Sequence, residues 1–331
     1  MRFFQNKKLK FSFIVSVYNM HREIERTLYS LSRAYQREAE DIEYEVIVVD
    51  NGSKKKLDSA LFEGNDNLHY LYVGGGNQSP VCAINQAAAQ ARGEVIAIMV
   101  DGARMLSPGV LSWANKAFSM FSNPVVSVLG FHLGPEHQAR SVEKGYCQKV
   151  EDELLETIAW QEDGYRLFEI ASLAGSAKGA WYEPVAESNC LFMRRSVFQE
   201  IGGYEEGFSS PGGGLCNHDL YARAVEYPGV ELVNLHGEGC FHQYHGGVTT
   251  GGKTDGVKLK FNDLVSEYEK LRGKGYQMST VDAILFGHAP ISAASHVVAG
   301  GTKVREGAPS LGEGNELAYR LMQANLDCPP A

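Results

Sequence analysis

Two aspartates follow short apolar runs in the first third of the chain. Asp101 closes a run at residues 95–100, and Asp50 closes a run at 45–49. Apolar runs of this length are typical of strands buried on both faces of a parallel sheet. Ligands of such open α/β sheets bind beyond the carboxyl ends of the strands. We therefore expect both carboxylates at a binding edge, where they can accept hydrogen bonds from a ligand.

The elements that must position these residues alternate between strands and helices. Periodicity predicts the following segments: strands at 11–18, 45–49, 68–73, 125–132, 190–193 and 230–235, and helices at 22–40, 77–92, 150–160 and 258–272. The alternation of strand and helix in the first hundred residues predicts a mostly parallel sheet with right-handed crossovers. We therefore predict an α/β fold.

Composition narrows the possible partners. The 331 residues are 44% hydrophobic and carry a net charge of -9, which argues against a broad electrostatic grip on nucleic acid or on an anionic membrane. No apolar run approaches the roughly 20 residues that span a bilayer. Six scattered cysteines without a C-x-x-C pair favour a reduced chain over a disulfide framework. We expect a cytoplasmic protein, at most peripheral to the inner face of the membrane.

Several motifs together resemble a family 2 glycosyltransferase of the GT-A fold. They are Ser12–Asn19, Val46–Ser53, Asn85 ahead of Ala91 and Gly93, and Asp101. The resemblance implies a Rossmann-like three-layer sandwich in residues 1–250, with a nucleotide-binding half at 1–104 and an acceptor half at 105–250. Residues 251–331 are then expected to form a C-terminal helical and loop extension.

The resemblance also implies which residues contact the nucleotide, with Asp101 near the ribose. They are Val17, Tyr18, Asn19, Asp50, Asn51, Asn77, Asn85 and Asp101. Asp50, assisted by Asn51, can accept a hydrogen bond from a uracil or thymine imide N–H. A second interpretation of these two residues is that they only shape a turn, as Asp-Asn-Gly-Ser clusters commonly do. Their coincidence with the spacing of Asn85 and Asp101 favours the nucleotide pocket.

The family's Asp-x-Asp signature lacks its second acid here, because Asp101-Gly102-Ala103 stands in its place. In the family that acid ligates Mg²⁺ or Mn²⁺, and the methyl group of Ala103 cannot. A metal site of Asp101 with His242 and His245 is a minority alternative. We therefore expect metal independence, with guanidinium groups neutralising the departing diphosphate. The candidates are Arg104, Arg194 and Arg195.

The catalytic base has three candidates. The family's Gly-Gly-Glu-Asp-x-Asp-Leu region resembles Gly-Leu-Cys-Asn-His-Asp-Leu here, in which the second acid becomes Asn217. Asp219 matches the next acid, but we expect it to pair with Arg223 one helical turn further on, which would make it a weak base. Glu187, ahead of a buried strand, is the first alternative, and His218 is the second.

The leading expectation is a glycosyltransferase that acts with inversion. Its donor would be a UDP- or dTDP-sugar, and its acceptor a hydroxyl of a cell-surface glycan or a lipid-linked glycan. The alternative is a non-catalytic nucleotide-sugar or glycan-binding module derived from a transferase, since both the metal acid and the usual base are replaced. Nucleotidyl transfer is less well supported, because no basic Gly-rich triphosphate loop follows the first strand.

Overall fold

A computed structural model describes residues 10–74, 79–177, 179–246, 261–306 and 322. Within these ranges the strands are β1 (Lys10–Val17), β2 (Glu43–Asp50), β3 (Leu68–Tyr72), β4 (Val95–Met99), β5 (Arg104–Leu106), β6 (Pro124–Leu133), β7 (Ala171–Leu173), β8 (Leu191–Arg194), β9 (Glu231–His242) and β10 (Ile284–Gly287). The helices are α1 (His21–Ser30), α2 (Val81–Gln90), α3 (Val110–Met120), α4 (Gln138–Glu143), α5 (Gln148–Thr157), α6 (Arg195–Glu200), α7 (Cys216–Val225), α8 (Phe261–Arg272) and α9 (Ala294–Glu306).

The strands form one sheet in the order β10-β9-β6-β8-β4-β1-β2-β3, with β5 paired to β9 and β7 paired to β6. β1 runs parallel to both β2 and β4, and β3 runs parallel to β2. β8 is antiparallel to its two neighbours, β4 and β6. This mixed but mostly parallel sheet confirms the expected α/β fold class.

The apolar runs predict the central strands correctly because these strands are covered on both faces. All five residues of β4 are buried. Ile96 and Ile98 belong to one hydrophobic cluster, whereas Ala97 and Met99 belong to another on the opposite face of the sheet. Successive side chains of a strand point to opposite faces, so a strand packed on both sides has no polar alternation.

The register of β1 places the two aspartates at one edge of the sheet. Val17 is paired with Asp50 on one side, and Val15 is paired with Met99 on the other. Asp50 and Asp101 therefore flank the end of β1, and their backbones are separated by two strand spacings, about 10 Å. Asp50 and Asp101 thus lie at one edge of the sheet, as the sequence predicts.

Two predicted elements end differently from expectation. The helix expected over 22–40 stops at Ser30, where the side-chain amide of Gln36 donates to the carbonyl of Ser30 at 2.8 Å and replaces the helical bond. The helix expected over 77–92 begins at Val81, after Pro80 at its N-cap. β10, in the region expected to be helix and loop, was not predicted.

Cys147 is disulfide-bonded, so the expectation of a fully reduced chain is wrong at this residue. The remaining cysteines of the described ranges are free: Cys82, Cys190, Cys216 and Cys240. Spacing alone gave no signal, because a disulfide depends on residues that approach only in the folded chain. In the described ranges no helix has both the length and the apolar character needed to cross a membrane.

Glu238 is a fully buried carboxyl group inside β9 that fixes the start of α3. Its Oε2 accepts hydrogen bonds from the backbone N–H of Gly109 at 3.2 Å and from the hydroxyl of Ser107. Its Oε1 accepts from the hydroxyl of Tyr165 at 2.7 Å. Burial raises the pKa of Glu238 to about 7 although these hydrogen bonds act to lower it.

We expect the contribution of Glu238 to the free energy of unfolding to fall as the pH rises from about 5 to 7. Between the ordinary pKa near 4.5 and the folded value of about 7, folded Glu238 holds a proton that the unfolded chain has released. This difference lowers the stability by up to about 1.4 kcal/mol per pH unit. Urea unfolding at several pH values should show the wild type losing stability relative to Glu238→Gln over this range. A constant stability difference between the two proteins would contradict the assignment. Glu151, whose pKa is also raised to about 7, and His242, whose pKa is lowered, act equally in both proteins.

Candidate active site

Asp101 lies just beyond the end of β4 and faces the end of β9. Its Oδ1 accepts from the backbone N–H of Ala103 at 3.1 Å, and its Oδ2 accepts from Nε of Arg104 at 3.1 Å. β5 pairs antiparallel with β9, so Arg104 stands opposite His242, whose Nε2 is 3.5 Å from the same Oδ2. Burial acts to raise the pKa of Asp101, but Arg104 and His242 lower it well below its usual range. Asp101 is therefore ionised at neutral pH.

His242 and His245 complete a cluster with Asp101. The ligand atoms of the three residues all lie within 4.8 Å of one another, and the two Nε2 atoms are 3.1 Å apart. Nδ1 of His242 lies 2.8 Å from Oε1 of Gln138, which only accepts, so the proton sits on Nδ1. Burial lowers the pKa of His242 to about 4 against the opposing effect of Asp101. Neutral His242 thus directs the lone pair of Nε2 at the carboxylate.

Glu187 is held by the beginning of α7. Nδ2 of Asn217 donates to its Oε2 at 2.7 Å, and Oδ1 of Asn217 accepts from the hydroxyl of Tyr204 at 3.0 Å. Nδ1 of His218 is 3.5 Å from the same carboxylate oxygen. Asn217 occupies the position at which the resembled family has an acid, and here it fixes a carboxylate that comes from another segment.

Arg104 connects the two halves of the site. Its positive charge acts on the carboxylates of both Asp101 and Glu187, and its side chain is buried. Burial acts to raise the pKa of Glu187, but His218, Asn217 and Arg104 lower it below its usual value. The site therefore combines two ionised carboxylates around one guanidinium group. The structure brings together Asp101, Arg104, Glu187, His218, His242 and His245.

Asp219 is fully engaged in ion pairs. Nε of Arg223 lies 2.8 Å from its Oδ2, which confirms the pairing expected from their spacing. Arg272, at the end of α8, adds contacts of 2.5 Å to Oδ1 and 2.7 Å to Oδ2. Asp219 is 1% exposed. A buried carboxylate held by two guanidinium groups anchors α7 to α8 and has no access to an acceptor, so it does not suit the role of base.

The side chains at the end of β2 are used to shape a turn. Oδ1 of Asp50 accepts from the backbone N–H of Ser53, and Oδ2 accepts from the hydroxyl of Tyr70, both at 2.7 Å. Nδ2 of Asn51 donates to the carbonyl of Ser79 at 3.1 Å. The backbone N–H of Asn19 donates to Oγ of Ser53 at 2.8 Å. Asp50 is fully buried, so these contacts support the turn-shaping alternative for its carboxylate.

The other predicted nucleotide contacts differ in their exposure. Val17 is buried, whereas Tyr18 is 46% exposed at the same edge. Asn85 supports a loop, since its amide exchanges hydrogen bonds of 2.9 and 3.0 Å with the backbone of Tyr204. Asn77 lies outside the described residues.

Arg194 and Arg195 are not brought to this site. Arg194 is paired with Val95, the first residue of β4, whereas Asp101 follows the last. Their guanidinium groups donate to the carbonyls of Ser122 and Ala91. Both arginines come at the end of β8, which is antiparallel to β4 and therefore ends at the opposite edge of the sheet.

Sequence reasoning missed two residues that contact the site. Gln138 sets the tautomer of His242, and the ring of Tyr276 packs against the ring of His218 with centroids 5.5 Å apart. A single glutamine or tyrosine in a polar segment carries no pattern that marks it, so neither had a detectable signal.

Residues 12–101 match the family model described as Glycosyl transferase family 2. The match confirms the resemblance drawn from the motifs of this segment. No curated protein gives a significant match. The matched segment ends at Asp101, so the roles of Glu187 and of the two histidines rest on the geometry alone.

Two solved structures match this chain at low sequence identity. TarS 1-349 of S. aureus in complex with UDP is 18% identical with a TM-score of 0.47, and the match covers 71% of this chain and 61% of that one. The mannosyltransferase PcManGT of Pyrobaculum calidifontis, in complex with GDP-Man and Mn²⁺, is 16% identical with a TM-score of 0.48, covering 97% and 75%. This chain thus spans about three fifths of the TarS chain, and similarity at this level assigns no donor, acceptor or metal.

Gly102 allows the end of β4 to pack closely against β1 and α1. A Cβ atom at this position would lie 2.3 Å from Cγ1 of Val17 and 3.3 Å from Cδ1 of Ile24. The carbonyl of Gly102 accepts from the hydroxyl of Thr27 at 2.6 Å, which fixes the segment from the other side. The position of Asp101 therefore depends on the missing side chain of its neighbour.

We expect Gly102→Ala to destabilise the protein by about 1–3 kcal/mol, because both contacting side chains are buried and the added methyl group overpacks the site. Thermal unfolding measures this directly. Gly275→Ala is the matched control, since its Cβ would meet an ordinary contact at 3.5 Å. Equal melting temperatures for the two variants would contradict the prediction and would show that the loop after β4 adjusts to the added methyl group.

Proposed function

We propose that this protein transfers a sugar from a nucleoside-diphosphate sugar to an acceptor hydroxyl, with inversion at the anomeric carbon. The observation that carries the proposal is the carboxylate of Glu187, held by Asn217 within the electrostatic reach of Arg104. A group able to accept a proton and a group able to face a diphosphate thus share one site. The match of residues 12–101 to the family model supports the same activity.

In the proposed reaction Glu187 activates the acceptor. The acceptor oxygen attacks C1 of the donor sugar, and its proton passes to the carboxylate of Glu187. The bond between C1 and the diphosphate oxygen breaks, and the electron pair departs with the nucleoside diphosphate. A single displacement of this kind inverts the anomeric configuration, and general base catalysis contributes about 10²–10⁴-fold to such steps. Glu187 is ionised at neutral pH, and its lowered pKa makes it a weaker base than a free carboxylate. Unlike Asp219 it is 20% exposed, so an acceptor hydroxyl can reach it.

The departing diphosphate needs positive charge, and the proposal assigns part of it to Arg104. Its guanidinium group already lies at the carboxyl edge beside Asp101, where a nucleotide of this fold would place its phosphates. Guanidinium groups bind phosphate oxygens through two parallel hydrogen bonds. Arg194 and Arg195 have no part in the proposal, since they lie at the other edge.

The cluster of Asp101, His242 and His245 also fits a divalent cation. Asp101 is ionised, and Nε2 of His242 is unprotonated, so two electron-rich atoms face each other at 3.5 Å. A nitrogen and oxygen donor set of this kind favours a first-row transition ion such as Mn²⁺ over Mg²⁺. A cation bound there would add to the charge that stabilises the leaving diphosphate. This differs from the metal independence expected from Ala103, because that expectation considered only the position two residues beyond Asp101.

The donor and the acceptor are the less constrained parts of the proposal. A UDP- or dTDP-sugar was favoured because Asp50 could reach the base, but Asp50 is buried and both its oxygens are occupied. The exposed ring of Tyr18 is the better candidate to face the nucleoside. We retain a cell-surface or lipid-linked glycan as the acceptor class. The proposed cytoplasmic location loses the support of a reduced cysteine set, since disulfides are rare in that compartment.

We expect Glu187→Gln to lower the rate of nucleotide release about 10²–10⁴-fold without changing the KM of the donor. The assay follows nucleoside diphosphate released from UDP-Glc, UDP-GlcNAc, dTDP-Glc and GDP-Man, with water as the acceptor. Glu183→Gln is the matched control, because Glu183 is an exposed carboxylate on the same segment. Saturable nucleotide binding without turnover of any donor would instead identify the non-catalytic module.

We expect EDTA to lower the turnover at least tenfold and Mn²⁺ to restore it. Direct binding is followed by the loss of the free Mn²⁺ signal in electron paramagnetic resonance, which requires no turnover. His245→Gln should weaken the binding, whereas His69→Gln, at the opposite edge of the sheet, should leave it unchanged. Full activity in EDTA, together with no Mn²⁺ binding, would contradict the metal site. Arg104 would then be the one proposed counter-charge for the diphosphate.

A further inference from the structure

Two polar atoms beside Glu187 are buried without a hydrogen-bond partner among the described residues. They are the hydroxyl oxygen of Tyr276 and Nδ1 of His218. The great majority of buried polar side-chain atoms in native proteins have a partner, because leaving one unpaired costs free energy. Two such atoms next to one carboxylate therefore indicate a place that a ligand completes.

The surroundings of Tyr276 fix its ring but leave its hydroxyl unused. The ring packs edge-on against His218, with centroids 5.5 Å apart, and edge-on against Tyr268, with centroids 5.3 Å apart. Burial and the nearby charge of Glu187 raise the pKa of Tyr276 to about 12, so the hydroxyl keeps its proton and can donate. It does not donate to Glu187 itself. The hydroxyl group thus keeps a proton for which the described residues supply no acceptor.

The side chains beside this hydroxyl group are partly exposed. The side chains of Glu187 and His218 are each 20% exposed, although the hydroxyl oxygen of Tyr276 is covered. Arg272, four residues before Tyr276, is held by the buried Asp219 at 2.5 Å. The segment that carries Tyr276 is thus anchored to α7, the helix that also positions Asn217 and His218.

We infer that Tyr276 and His218 bind the acceptor, with the hydroxyl of Tyr276 donating a hydrogen bond to a second oxygen next to the one that reacts. The acceptor class is then a polyhydroxylated molecule, a sugar with neighbouring hydroxyl groups, and not a simple alcohol. The inference rests on the proposed function in one respect, which is that Glu187 receives the proton of the reacting hydroxyl. Tyr276 is an acceptor-binding residue and takes no proton.

The test compares the wild type with Tyr276→Phe and with Tyr268→Phe, the neighbouring tyrosine, as the matched control. Binding of the methyl β-glycosides of glucose, galactose and N-acetylglucosamine is measured by saturation-transfer NMR, which needs no turnover. We expect Tyr276→Phe to weaken the binding of at least one glycoside fivefold or more, and Tyr268→Phe to change it less than twofold. Donor hydrolysis with water as the acceptor should change less than twofold in Tyr268→Phe.

Thermal unfolding checks the premise, because removing an unpartnered hydroxyl should leave the melting temperature unchanged or slightly higher. A clear drop for Tyr276→Phe would reveal an internal partner and overturn the inference, as would glycoside binding that is equal in the two proteins or absent from the wild type. Glycoside binding that depends on Tyr276 in a protein that cleaves no nucleotide sugar would refute the proposed transferase and leave this binding site standing.

Discussion

The antiparallel pairing of β5 with β9 determines what meets at the end of β4. It places Arg104 opposite His242 and so puts a cation and an imidazole next to the carboxylate of Asp101. Without this short ladder, Asp101 would be an isolated acid at a strand end, as its sequence context suggests. The three-residue strand β5 is therefore the connection through which residues more than a hundred positions apart form one site.

Charge balance around Arg104 explains why two carboxylates can remain ionised in a largely buried place. Burial alone would raise the pKa of both Asp101 and Glu187. Arg104 and His242 reverse this for Asp101, and His218, Asn217 and Arg104 reverse it for Glu187. Asp219 shows the opposite use of the same chemistry. Two arginines hold its carboxylate so tightly that it serves the packing of α7 against α8 and not the reaction.

The sequence predicted the parallel half of the fold well, because a strand covered on both faces must be apolar throughout, as β4 is. It also predicted that Asp50 and Asp101 share an edge, since parallel strands end together. It could not predict the antiparallel direction of β8, which depends on how a long excursion returns to the sheet. Because β8 runs in this direction, Arg194 and Arg195 lie at the edge of the sheet opposite to Asp101, away from the diphosphate that the sequence-based interpretation assigned to them.

Site residues could be predicted where a family motif or the spacing of two charged residues marked them. They could not be predicted where the partner comes from a distant part of the fold. The i,i+4 spacing of Asp219 and Arg223 sufficed for their ion pair. The hydrogen bond from Asn217 to Glu187 joins residues 30 positions apart, and neither local sequence indicates that the two residues meet. Asn217 also shows that a position which loses its acid can keep its place in the site by fixing an acid from elsewhere.

The ion pairs of Asp219 with two arginines limit where the chain can be cut into fragments that fold. Arg223 comes from α7 and Arg272 from α8, so a fragment that stops before α8 would leave a buried carboxylate with half of its counter-charge. The helix that follows the transferase-like segment is in this sense part of the same folding unit. A chimera that joins this chain to another transferase should therefore exchange both helices together.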